Sequence, residues 1–104
     1  MFREITLRGD CIADLDTEVR FSIATARADG GSLIKFILPL ANEGDRAYAC
    51  LIKVLRPLVR SGKIQFFVTD DDIKKRTTAS EFLINKYGDA ILNADESAYV
   101  FVKI

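Results

Sequence analysis

The spacing of apolar residues along the chain predicts alternating strands and helices. Residues 33–38 form a short apolar run rich in β-branched and aromatic side chains, which favours a buried strand, and Pro39 ends it. From Arg46 to Lys63 the apolar residues recur at helical spacing and predict one amphipathic helix, which the interior Pro57 should bend. This strand and the helix after it form the centre of the predicted fold.

The residues before this centre predict a strand followed by a helix. Residues 5–8 favour a strand, and Gly9-Asp10 is typical of a turn in which Asp10 could cap the next helix. Apolar residues then recur at intervals of three and four, which predicts an amphipathic helix. Its apolar positions are Ile12, Leu15, Val19, Ile23 and Ala26, and its polar side carries Asp14, Asp16, Glu18, Arg20 and Arg27.

The residues after the centre predict two more strands with a short helix between them. Residues 64–68 favour a strand, and the aspartates at 70–72 follow it as a turn. Thr77 or Thr78 could cap a helix that stops at Gly88, and residues 89–96 have the composition of a loop. Residues 98–104 are rich in strand-favouring side chains and predict the last strand.

Together these elements predict an α/β fold. Each strand, helix and strand in succession forms a right-handed parallel crossover, so the first three strands should run in the same direction. We expect one domain over residues 1–104, with two layers, the order βαβαβαβ and a mixed sheet. The residues expected to be buried or partly buried are Ile5, Leu7, Ile34, Phe36, Ile64 and Phe66.

The charge is balanced overall but unevenly distributed. The formal net charge is zero, yet the first 45 residues carry 5 basic and 8 acidic side chains, whereas residues 46–68 carry 5 basic and none that is acidic. Helical spacing places the five basic residues of this middle segment on one side. They are Arg46, Lys53, Arg56, Arg60 and Lys63. This face could follow a phosphate backbone, or it could simply be a solvated helix surface.

Composition excludes several kinds of chemistry and predicts a location. The chain contains no His, so a His-dependent triad and imidazole metal ligands are excluded. Cys11 and Cys50 are too few for a disulfide framework, and we expect no disulfide, no zinc and no cofactor. No apolar run is long enough to span a membrane, and there is no signal-peptide core, so we expect a cytoplasmic protein without a membrane partner.

Carboxylates offer one possible enzyme site. Asp10 follows the first strand and the aspartates at 70–72 follow the third, and the carboxyl ends of parallel strands converge on one crevice. Asp10 and Asp72 could hold a magnesium ion there, or the aspartates could cap a helix and solvate a turn. Arg8 could reach a phosphate or pair with one of these carboxylates. Before the second long helix, Asn42 or Asp45 could cap the terminus where an anion would otherwise bind.

The order of the elements, more than any single motif, resembles a known family. Ile5-Thr6-Leu7-Arg8-Gly9, an acidic helix, a strand from Leu33, a basic helix ending at residues 60–64 and a final apolar strand resemble the Smr (small MutS-related) domain, in its stand-alone bacterial form. Leu7-Arg8-Gly9 matches one form of the family's first motif. Residues 38–44 replace the His-Gly and second Gly that the family usually has after its second strand. The resemblance implies a fold like the C-terminal domain of the third bacterial initiation factor and a tendency to bind or nick nucleic acid.

Three hypotheses of function follow. The first is a degenerate Smr-like module that binds DNA or RNA through the basic helix face and Arg8, without nuclease activity. The second is a protein interaction module that has lost the family's chemistry, with Leu38, Pro39 and Leu40 near the surface. The third is a metal-dependent hydrolase or nicking endonuclease that uses Asp10 and Asp72.

Overall fold

The apolar runs form a four-stranded sheet with two long helices packed against it. The computed structural model describes residues 2–39, 44–88 and 97–104. The elements in chain order are β1 (Phe2–Thr6), α1 (Ile12–Ala28), β2 (Leu33–Pro39), α2 (Gly44–Arg60), β3 (Phe66–Thr69), α3 (Asp70–Lys75), α4 (Thr78–Tyr87) and β4 (Ser97–Lys103). The predicted cap at Asn42 or Asp45, the predicted loop over residues 89–96, and Leu40 lie outside the residues or side chains described.

The sheet has the spatial order β1-β2-β4-β3. β1 pairs with β2 in parallel, and β4 is antiparallel to both of its neighbours, so β3 runs in the same direction as β1 and β2. The predicted α/β class, the mixed sheet and the common direction of the first three strands are therefore confirmed. Since β1 and β3 are the two edges, three strand spacings separate them, or about 14 Å.

The core has two parts, one on each face of the sheet. The larger part packs α1 and α2 against alternate residues of β2 and β4, including Ile34, Phe36 and Val102. The smaller part lies on the opposite face. There Ile73 of α3 and Leu83 of α4 pack against the strand residues that alternate with those of the larger part, such as Phe101. All six residues predicted to be buried or partly buried are so in the structure.

Three local predictions are corrected. Asp10 does not cap α1, because the cap residue is Cys11 and its side chain makes no capping hydrogen bond. The aspartates at 70–72 are not a turn, because they begin α3 directly after β3. Leu38 is not near the surface, because it is buried among the residues of the larger core cluster. In contrast, the predicted cap at Thr77 and stop at Gly88 are both present in α4.

Candidate nucleic-acid interface

The outer side of α2 carries a row of exposed basic side chains. Amphipathic spacing directs Leu51, Val54, Leu55 and Leu58 into the core, which leaves the opposite side of the helix in solvent. The row lies on that side, and from Arg46 to Arg60 it is about 21 Å long at 1.5 Å per residue. We call this row, together with Lys63 three residues after the helix, the α2 basic face. Its members, all exposed, are Arg46, Lys53, Arg56, Arg60 and Lys63.

The cations of the α2 basic face have no acidic partner among the described residues. The ion pairs found there join Arg3 with Asp29, Arg20 with Asp16, Lys35 with Glu4 and Lys74 with Asp70, and none involves this face. Exposed cations that are not neutralised nearby produce a local positive potential even on a chain with no net charge. The α2 basic face therefore has the electrostatic character of a surface that binds a polyanion.

Arg8 lies at the junction between β1 and α1. It borders a surface concavity together with the carboxylates of Asp14 and Glu18, and none of the described side chains of α2 lines that concavity. Glu18 accepts hydrogen bonds from the backbone N–H groups of Arg8 and Gly9, at 3.0 and 2.8 Å. The two N–H groups that could have bound an external anion are thus occupied by an internal carboxylate.

Gly9 allows this junction to close. A Cβ atom at position 9 would lie 2.8 Å from both the Asp14 Cβ and a carboxylate oxygen of Glu18, and 3.1 Å from the Leu15 backbone nitrogen. The glycine of the Leu7-Arg8-Gly9 motif is therefore required by the close approach of the loop to α1. Gly9 therefore has a structural role that does not depend on whether its neighbours bind a ligand.

The predicted carboxylate pair is not brought together. Asp10 follows the β1 edge and Asp72 belongs to the helix that follows the β3 edge, so the width of the sheet lies between them. The Asp72 carboxylate accepts hydrogen bonds from the N–H and the hydroxyl of Thr69, at 3.0 and 2.8 Å, and completes a capping box for α3. Asp10 instead lies near Cys11 and Asp14, with potential ligand atoms within 4.8 Å of one another. Asp10 and Cys11 are at the surface, and the described residues add no other sign of an ion there.

A tyrosine links α2 to the start of α3. The Tyr48 hydroxyl donates a hydrogen bond of 2.7 Å to Asp70. Burial of the phenol, together with this hydrogen bond to a carboxylate, raises the pKa of Tyr48 well above its ordinary value of 10.0. Asp70 is also 3.9 Å from the Lys74 ammonium, so it has structural partners on both sides.

The two cysteines lie in different environments. Both are free thiols: Cys11 is exposed at the start of α1, whereas Cys50 is half-buried against the larger core cluster.

Three side chains beside this interface were not among the predicted site residues. Arg20, Arg27 and Phe21 lie on α1, and the first two line a cavity that also includes Lys63 of the α2 basic face. The signal was present in the sequence, because residues 20 and 27 are seven apart and so lie on one side of a helix. Their proximity to Lys63 depends on how α1 packs beside α2.

Comparisons with protein-family models, curated proteins and solved structures found no match. Within the described ranges, no helix is both long and apolar enough to cross a membrane.

Proposed function

We propose that this chain is a degenerate Smr-like module that binds nucleic acid through the α2 basic face without cutting it. The observation that carries the proposal is the row of five exposed cations without an acidic partner among the described residues. A row of this kind neutralises successive phosphates and releases their counterions, which supplies affinity without base contacts.

Two observations support binding without cleavage. The chain has no His to act as an acid or base near neutral pH. The two carboxylates expected to share a metal, Asp10 and Asp72, follow strands at opposite edges of the sheet. Asp72 is also engaged in the capping box of α3. The residues at the strand ends thus stabilise the fold, and the α2 basic face supplies the interaction.

A charge-reversal variant with a matched control tests the proposal. Lys53, Arg56 and Arg60 are changed together to Glu, and Lys74, Lys75 and Lys86 are changed together to Glu as the control. Both sets are exposed and alter the net charge equally, but the control set lies on α3 and α4. We expect the first variant to bind at least about a hundredfold more weakly than the parent, and the control to bind nearly as the parent does.

Binding is measured by gel retardation with single- and double-stranded DNA and RNA, at two salt concentrations, with and without magnesium. Circular dichroism checks that each variant is folded, since exposed substitutions usually change stability by less than about 0.5 kcal/mol. Equal losses in the two variants would show that only total charge matters. A parent that binds no nucleic acid would leave the protein interaction hypothesis, and cleavage in magnesium would overturn the absence of nuclease activity.

A further inference from the structure

A cationic groove lies where α1 packs beside the end of α2. It encloses a cavity of about 210 Å³. Its base is apolar and its rim is basic. The residues that line it are Arg20, Ile23, Ala24, Arg27, Leu58 and Lys63.

The groove has a net positive charge even when the ion pair between Arg20 and Asp16 is counted as neutral. Arg20 binds both carboxylate oxygens of Asp16 through Nε, at 3.0 Å each. Arg27 and Lys63 have no ion pair with any described residue, and none of the described acidic side chains lines the cavity. Arg27 is in the last turn of α1, where the helix dipole favours a cation, so its side chain is stable there without a carboxylate. The groove is thus suited to an anion with one or two negative charges.

Phe21 stands beside the groove as an exposed aromatic side chain. It is 73% exposed, although large aromatic side chains usually bury most of their surface. It lies three residues before Ala24, which lines the cavity, and this spacing places the two Cβ atoms about 5–6 Å apart on the helix. An aromatic ring next to a cationic groove is the arrangement on which unpaired bases stack.

We propose that the groove holds a backbone phosphate of a single-stranded nucleic acid and that Phe21 stacks on an adjacent base. This inference rests on the proposed function and names its substrate class. Lys63 belongs to both surfaces, so a strand that follows the α2 basic face continues into the groove without a break in positive charge. In a duplex the bases are stacked on one another and their faces cannot reach Phe21, so binding favours a single strand.

Three variants test the groove and its aromatic neighbour. Phe21→Ala removes the stacking ring, and Phe82→Ala is the matched control, because Phe82 is also exposed, at 47%, but lies on α4. A third variant, Arg27→Gln with Lys63→Gln, removes the two cations without an ion pair. Fluorescence anisotropy measures the affinity of each variant for a labelled oligothymidylate, an oligouridylate and a DNA duplex.

We expect the parent to bind the single strands more tightly than the duplex. Phe21→Ala should weaken single-strand binding by at least about fivefold and leave duplex binding unchanged, whereas Phe82→Ala should change neither. The double variant should weaken binding and reduce the slope of log K against log salt by about 0.7, because the groove holds one phosphate. The DNA and RNA arms show which backbone is preferred.

The outcomes also separate this inference from the proposed function. If the charge reversal on α2 weakens binding but Phe21→Ala and the double variant do not, the groove is overturned and the proposed function stands. Equal affinity of the parent for single strands and duplex would likewise overturn the preference inferred here. If the parent binds none of the three probes, the proposed function fails.

Discussion

The two long helices lie on the same face of the sheet and use their charges in opposite ways. Both are 17 residues long, and both bury an apolar side in the same cluster. On α1 three charged side chains have internal partners, because Asp16 pairs with Arg20 and Glu18 binds the backbone before the helix, whereas Arg27 has no ion pair with a described residue. On α2 the exposed charges from Arg46 to the end of the helix are all basic, and the described residues supply no acidic partner for them. A net charge of zero therefore conceals one helix with charges that mainly support the fold and another whose charges, from Arg46 onward, remain available.

Salt dependence tests this difference most strongly. If all five cations of the α2 basic face contact phosphates, affinity for a single strand should fall about a hundredfold between 50 and 200 mM salt. Lys53→Gln should reduce the slope of log K against log salt by about 0.7, while Lys74→Gln on α3 should leave it unchanged. Titrations at four salt concentrations measure both slopes. Identical slopes for parent and Lys53→Gln would remove Lys53 from the interface.

The closed junction before α1 should be sensitive to a single methyl group. Gly9→Ala should lower the free energy of unfolding by about 2 kcal/mol, because the added Cβ would lie 2.8 Å from the Asp14 Cβ. Urea denaturation measures the change. Gly30→Ala is the comparison, since Gly30 has a φ of +73° but open space around it, and its cost would come from the backbone alone. Full stability of the Gly9 variant would mean that the loop relaxes away from α1.

The Glu18 carboxylate should stabilise the same junction by a smaller amount. Glu18→Gln should lower the free energy of unfolding by about 1.5 kcal/mol, because two backbone N–H groups lose a charged acceptor. Glu81→Gln on α4 should cost only about 0.3–0.5 kcal/mol, since Glu81 has a favourable place in the first turn of α4 but no side-chain hydrogen bond to a described residue. Urea denaturation measures the free energy of unfolding of both variants. Equal stability of the two would contradict the role assigned to Glu18.

Tyr48 should make stability depend on pH in the alkaline range. Its pKa is raised by folding, so the folded state retains the phenol proton that the unfolded state loses above the ordinary value of 10.0. The contribution of the protonated Tyr48 to the free energy of unfolding is fully present below pH 10 and should be lost progressively as the pH rises above 10. Tyr48→Phe should cost about 1 kcal/mol near pH 7, through loss of the bond to Asp70, and that difference from the parent should shrink above pH 10. A difference that is constant from pH 7 to 11 would contradict this.

The smallest expected effect comes from making α1 more like α2. Asp16→Asn removes the i,i+4 pair with Arg20 and should cost only about 0.3–0.5 kcal/mol, because both side chains are exposed. It should also release Arg20 toward the groove and increase single-strand affinity about twofold. Thermal unfolding and anisotropy measure the two effects. A decrease in affinity would mean that Asp16 positions Arg20 for binding.

Local patterns were sufficient to predict most of the elements. Periodicity predicted both long helices and the central strand, including the single helix across Pro57. The capping box between Thr69 and Asp72 is visible in the sequence as a Thr three residues before an acidic side chain, but three consecutive aspartates are also typical of a turn. Lys35 interrupts an apolar strand, and only the structure shows it buried beside Glu4, with its ammonium 4.9 Å from the centre of the Tyr99 ring.

The candidate site could be predicted only in part. Helical spacing was enough to place five cations on one side of α2, because that depends on one element. The separation of Asp10 from Asp72 depends on where β4 enters the sheet, and the groove depends on how two helices pack, so neither follows from a local pattern. Phe21 did carry a signal, since it falls outside the apolar spacing of its helix.

The position of β4 also determines when the sheet can be completed during synthesis. β1 and β2 are adjacent and can pair as soon as both have left the ribosome. Among the described strands, β3 is hydrogen-bonded only to β4. Gln65, just before β3, also donates its N–H to the Lys103 carbonyl of β4. Until residues 97–103 arrive and insert, the nascent chain has two separated strand edges with unpaired backbone groups. We therefore expect this chain to remain prone to aggregation until its last strand is translated, and to fold slowly for its size.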